Sequence, residues 1–264
     1  PCSEPRARWA FRLPETLSVG LIVTVGIAVF LYGFSKTAMP AAGVLAGPIL
    51  AAALSPAIAS GFVVPLLILG DLFGLALYRQ HADWRLIRRL VPGVLIGFVI
   101  VALLFKFLDV TLVARIIGVL ILVSVVLEVW RMRSHVELES EPRQHVNRLA
   151  VAFFGTLAGM TTMGANAGSA AMTLYLVYMR VPMFAFMGTS VWFFFILNVL
   201  KVPFVLALGV LDLDTLRLNL WFVPVLVAGA LVGAVTFRRM RPTVFVYTAL
   251  TLSGLAAIWL IVRG

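Results

Sequence analysis

Apolar residues gather in stretches separated by short polar ones: 17–35, 39–55, 57–78, 91–108 and 110–130, then 149–163, 165–179, 183–207, 218–237 and 244–262. That is five in each half of a 264-residue chain. An α-helix needs about 20 consecutive apolar residues to cross the hydrocarbon of a bilayer, and most of these runs come near that length. The second run of each half falls short. Short pieces are tolerated at membrane depth only where they are buried in protein or line a cavity. The pattern therefore predicts an all-α integral membrane protein with broken or re-entrant helices at the start of each half.

The halves also repeat in sequence. Residues 91–97 read V-P-G-V-L-I-G, and 132 positions later residues 223–229 read V-P-V-L-V-A-G. Gly43-V-L-A-Gly47 is echoed by Gly164-A-N-A-Gly168, and Asp83 and Arg85 by Asp214 and Arg217. The loop charges do not follow the repeat. Residues 79–90 carry a net +3 and their counterpart 209–220 a net −1, whereas 106–110 are neutral and the matching 238–241 carry +3. Lys and Arg concentrate on the cytoplasmic side, so equivalent loops are expected on opposite faces of the membrane. This predicts two inverted-topology repeats, an architecture used by secondary transporters. Each half then needs an odd number of crossings.

The expected organisation is a polar tail at 1–16, a first membrane repeat at 17–130, a linker at 131–148 and a second repeat at 149–264. Arg131, Arg133, Arg143 and Arg148 bracket the linker and place it in the cytoplasm. With loops 79–90 and 238–241 inside, an odd count puts the tail outside, against the pull of Arg6, Arg8 and Arg12. The run from Leu17 to Phe34 is read as a retained membrane segment, because no small-residue cleavage site follows it. Trp84, Trp130, Trp221 and Trp259 fall near segment ends, as interfacial anchors do. Trp192 lies within a segment and is either a packing residue or part of a substrate path.

Composition agrees with the pattern: 62% of residues are hydrophobic and 12% charged, which belongs in a bilayer. The net charge of +10 sits in short loops, where it sets orientation. No basic stripe with interleaved aromatics appears, so nucleic acid is not an expected partner. Cys2 is the single cysteine, which rules out an internal disulfide. His81, His135 and His145 fall in loops, so no metal site or other cofactor is expected.

Two features carry candidate chemistry. At the breaks, the chain reads Gly33-F-Ser35-Lys36-Thr37-A-M-Pro40 in the first half and Gly159-M-Thr161-Thr162-M-Gly164 in the second, followed by Asn166 and Ser169. Polar capping residues at apolar depth suggest that one helix stops and another starts. Pro40 suits a first turn, and Thr161 or Thr162 a cap. The free N–H groups and positive dipole end of such a helix start favour an anion. The plainer alternative is that Gly43, Gly47, Gly164 and Gly168 only let helices pack closely. The second feature is Asp71 within an apolar run, with Asn198 as its counterpart and Lys201 on the same helix face as Asn198. An ionisable residue inside a span usually faces a cavity or a partner. Asp71 is the candidate coupling residue, for a proton, and the alternative is a structural lock between Asp71 and Lys201.

These residues resemble the TauE/SafE family of sulfite exporters and sulfonate permeases over essentially the whole chain after the tail. The likeness is strongest at 65–97 and 188–214. The second stretch is similar to the family in its Thr-Ser pair, its later Asn and Lys and its acidic residues before the next span, here Thr189, Ser190, Asn198, Lys201, Asp212 and Asp214. Members often carry consecutive glycines in the first loop of each half, and this chain does not. The resemblance implies a two-repeat carrier in a bacterial inner membrane for a small sulfur-containing anion, sulfite or an organosulfonate such as sulfoacetate. Two other readings are a non-transporting membrane subunit, which needs no Asp71 or Lys201 within the spans, and an intramembrane enzyme acting on a lipid phosphate. The enzyme needs clustered catalytic polar groups that the spans are too sparse to supply, so no enzymatic activity is expected.

Overall fold

The computed structural model describes residues 19–54, 56–134, 147–164, 168–207, 211 and 213–263. The described residues form α1 (Val19–Thr37), α2 (Gly43–Ala53), α3 (Pro56–Tyr78), α4 (Trp84–Phe107), α5 (Val110–Ser134), α6 (Arg148–Gly164), α7 (Gly168–Tyr178), α8 (Met183–Ala207), α9 (Leu213–Arg239) and α10 (Pro242–Arg263), with no strand among them. Each apolar stretch becomes one helix. Seven of these, α1, α3, α4, α5, α8, α9 and α10, are long and apolar enough to cross a membrane. The protein is a multi-pass, all-helical membrane protein.

The short runs do make short helices. At 11 residues each, α2 and α7 reach about 16 Å, roughly half of a ~30 Å hydrocarbon core. α7 is enclosed by protein, with Leu174, Tyr175 and Leu176 wholly buried. The largest departure from the hydrophobic pattern is at the start of α4. α4 starts at Trp84 rather than near 91, because Asp83 caps it by accepting from the Arg85 N–H at 2.9 Å. Its first turns bury Leu86, Ile87 and Leu90 and expose Arg85, Arg88 and Arg89. Such an amphipathic turn is invisible to a search for continuous apolar runs.

Packing relates the halves. α1 packs on α9 as α6 packs on α4, α3 packs on α8, α5 on α10, and α1 meets α2 as α6 meets α7. If α6 to α10 stand for α1 to α5, these principal contacts map onto one another. The repeated motif explains two of them. Gly97, ending V-P-G-V-L-I-G, lies on the α6 backbone at Thr156 and Gly159, and Gly229, ending V-P-V-L-V-A-G, lies on the α1 backbone at Phe30 and Phe34. A Cβ at either position collides with main chain, so both glycines serve close helix crossing.

Aromatic contacts gather the basic loops. Tyr78 and Phe184 stack edgewise on Phe237 with centroids 5.1 and 5.2 Å away. Residues 78–81 and 237–241 therefore share one end of the bundle. The opposite end of α9 lies 27 residues away, about 40 Å along its axis. Trp192 packs on Trp84 at 5.0 Å, which makes it a packing residue.

Candidate functional site

The site forms where the first helix of each half stops. α1 ends at Thr37, whose carbonyl accepts from the Tyr78 hydroxyl at 2.7 Å and whose own hydroxyl donates to the Ala230 carbonyl at 2.6 Å. These bonds satisfy polar groups that a helix end otherwise leaves open. Met39 is extended, and Pro40 opens a single 3-10 turn that runs into α2, at a position where its missing N–H costs nothing. In the second half α6 ends at Gly164 and α7 starts at Gly168.

The polar residues at the breaks therefore belong to the last turn of the helix before, not to a cap of the helix after. Helical bonding continues through them because hydroxyls can bond back along their own helix. Ser35 donates to the Tyr32 carbonyl at 2.8 Å and Thr161 to the Ala158 carbonyl at 3.1 Å. The glycine echo shifts as well. Gly43 and Gly168 open the equivalent short helices, whereas Gly164 closes α6. A Cβ on Gly43 comes within 2.9 Å of the Ser35 hydroxyl, and one on Gly168 overlaps the Thr162 hydroxyl. Each short helix thus starts against a hydroxyl on the turn before the break.

Between the two restarts lies a cavity of about 60 Å³, walled by eight residues from each half. One water needs about 15 Å³ by this measure, so the space is large enough for a compact ion. Lys36 reaches it across α3, where Gly70 leaves room for its stem. Its Nζ stands 2.7 Å from Asp71 Oδ1 and 5.2 Å above the Phe194 ring, a cation–π distance. Asn198 Nδ2 donates to Asp71 Oδ2 at 2.7 Å. Lys201, on the same α8 face, lines the same cavity. The charged residues in the described lining are two lysines and one carboxylate. Among the described residues, the hydroxyls of Thr162 and Ser190 are buried there without a protein partner.

Of the residues singled out in the sequence, the cavity brings together Ser35, Lys36, Asp71, Thr162, Ser169, Asn198 and Lys201, with Gly43 and Gly168 at its edge. Thr37 and Thr161 are fully buried and do not line it. Gly47 sits beneath the Tyr32 hydroxyl. Asn166 and Asp212 lie outside the described residues. Lys36 forms an ion pair with Asp71 that the helix-face argument, which set Lys201 against Asp71, did not include.

Sequence reasoning left Tyr32, Ser190 and Phe194 off the list of site candidates. Ser190 carried a usable signal, because the spacing of 127 that relates Asp71 to Asn198 relates it to Val63, and both line the cavity. The Thr-Ser pair has two separate tasks. Thr189 accepts from the Asp83 N–H at 2.9 Å and anchors the start of α4, while Ser190 turns into the cavity.

No curated protein and no solved structure matches the chain. A family match, described as Sulfite exporter TauE/SafE, covers residues 25–260. With nearly the whole chain inside that match, the protein belongs to the TauE/SafE family of sulfite exporter-type membrane transporters.

Proposed function

We propose that the protein carries a small sulfur-containing anion, sulfite or an organosulfonate such as sulfoacetate, across a bacterial inner membrane by alternating access between two inverted repeats. The observation that carries this reading is the cavity itself: compact, walled equally by both halves, with two lysines and one carboxylate in its described lining. Two lysines against one carboxylate in the described lining make the cavity wall more favourable to an anion than to a cation. Lys36 and Lys201 supply the field. The Thr162 and Ser190 hydroxyls supply directed donors, and hydrogen bonds to a charged partner are the stronger kind. The starts of α2 and α7 add the positive ends of two helix dipoles.

A site shared by two equivalent halves opens to either side when one half rocks against the other. The interchange of α1–α9 with α6–α4 and the gathering of basic loops at one end of the bundle support inverted repeats with α2 and α7 as re-entrant helices. Flux into loaded liposomes, comparing sulfite, methanesulfonate, sulfoacetate and sulfate with and without a pH gradient, tests the function. Sulfite or a sulfonate is expected to move and to be lost in Lys36→Ala. No flux of any of these anions, or equal flux in the variant, overturns it.

A further inference from the structure

Resting on the anion-carrier reading, we propose that Asp71 is a built-in competitor for the transported anion, holding Lys36 and Asn198 until a proton displaces it, so that anion and proton bind together. The geometry is specific. Both carboxylate oxygens of Asp71 are engaged at 2.7 Å, one by the Lys36 ammonium and one by the Asn198 amide. These are the groups at the cavity wall best suited to hold an oxyanion. An ammonium and an amide N–H₂ give a sulfonate the same two contacts that they give a carboxylate. With Asp71 ionised and bound, an incoming anion meets a second negative charge at contact distance and has to share its donors with it.

When the anion takes Lys36 and Asn198, the Asp71 carboxylate is left fully buried beside a like charge. A proton on that carboxylate removes the conflict and leaves a neutral acid that can itself donate to the anion. The groups facing the cavity with a titratable proton are Tyr32 and Lys36 from α1, Asp71 from α3 and Lys201 from α8; α2, α6 and α7 contribute none to the described lining. Lys201 is the rival source of a pH effect that the test separates from Asp71.

The test uses the full chain in nanodiscs and methanesulfonate, whose sulfonate keeps its charge across the range examined. Binding to the unmodified protein is expected to tighten as pH falls, approaching tenfold per pH unit, the limit for one linked proton. Calorimetry in buffers of different ionisation enthalpy is expected to register uptake of about one proton per anion. Asp71→Asn is expected to bind at least as tightly as the unmodified protein does at low pH, and with no pH dependence. Lys201→Arg, which keeps a permanent charge, is expected to retain the proton linkage. Anion binding without proton uptake, or loss of linkage in Lys201→Arg, overturns the competitor proposal and leaves the carrier reading intact. Weaker binding in Asp71→Asn at every pH also overturns it. If Asp71→Asn does not fold, the proton count on the unmodified protein still decides. Absence of anion binding at any pH is a different result, and it sinks the carrier reading instead.

Discussion

Thr161 and Thr162 are neighbours in the last turn of α6, both buried, yet they call for opposite results on replacement by valine. Thr162→Val keeps the shape and deletes a hydroxyl that faces the cavity with no protein partner. If that hydroxyl donates to the anion, its loss costs about 1.5 to 3 kcal/mol of binding, or roughly ten- to a hundredfold in affinity. The folded protein does not lose stability, because burying an unpaired hydroxyl is itself unfavourable by about 1 to 3 kcal/mol. Thr161→Val deletes a hydroxyl bonded to the Ala158 carbonyl and outside the cavity, so it costs about 0.5 to 1.5 kcal/mol of stability and leaves affinity unchanged. Titration with sulfite in nanodiscs measures the first effect, and thermal unfolding followed by tryptophan fluorescence the second. If the two variants move both readouts together, the hydroxyls are not divided between cavity and helix as argued, and the anion lies elsewhere.

Gly97→Val and Gly229→Val press a side chain onto the backbone of α6 and α1 and are each expected to lower stability by about 1 to 3 kcal/mol or more, read as a drop in unfolding temperature; Gly26→Ala, with open space around its Cβ position, is the control and is expected to gain up to about 1 kcal/mol. Lys36→Ala strands the buried Asp71 carboxylate at a cost of about 3 to 5 kcal/mol; adding Asp71→Asn is expected to recover much of that stability, and an additive double variant refutes the ion pair. In a Cys2→Ser background, Arg85→Cys and Arg239→Cys are expected to react with a membrane-impermeant thiol reagent from one side and Asp214→Cys from the other, and labelling of positions 85 and 214 from the same side would falsify the inverted-repeat reading.

The helices were legible because a membrane demands long apolar runs, and that demand is written residue by residue. The start of α4 was not, since Trp84 to Leu90 alternates buried and exposed faces and breaks the run. The breaks at 38–39 and after Gly164 showed in the polar residues around them, but which helix those residues belong to did not. Adjacent helical positions point about 100° apart, so only packing separates Thr162, facing the cavity, from Thr161, bonded to its own helix. The Asp71 to Lys36 pair was hidden for a similar reason. Asn198 and Lys201 advertised a shared face by their spacing of three, whereas Lys36 reaches Asp71 by crossing α3 over Gly70, a tertiary route with no local signature.

At the cavity the two halves differ in charge. At the spacing of 127 that sets Asp71 against Asn198, Lys201 falls on Gly74, a position closed to any side chain by Val191 and the Lys36 carbonyl. The first half therefore holds a carboxylate where the second holds an amide, and the second holds an ammonium where the first has only space for hydrogen. Full symmetry fails at a shared cavity: two carboxylates face to face cancel both lysines and repel an anion, and two amides leave the lysines with no internal counter-charge when the cavity is empty. One carboxylate against two ammonium groups avoids both extremes. On the anion-carrier reading proposed above, it pairs Lys36 in the unloaded protein and keeps a second lysine at the cavity wall, so the departure from the repeat, rather than the repeat itself, is where selectivity for charge would reside.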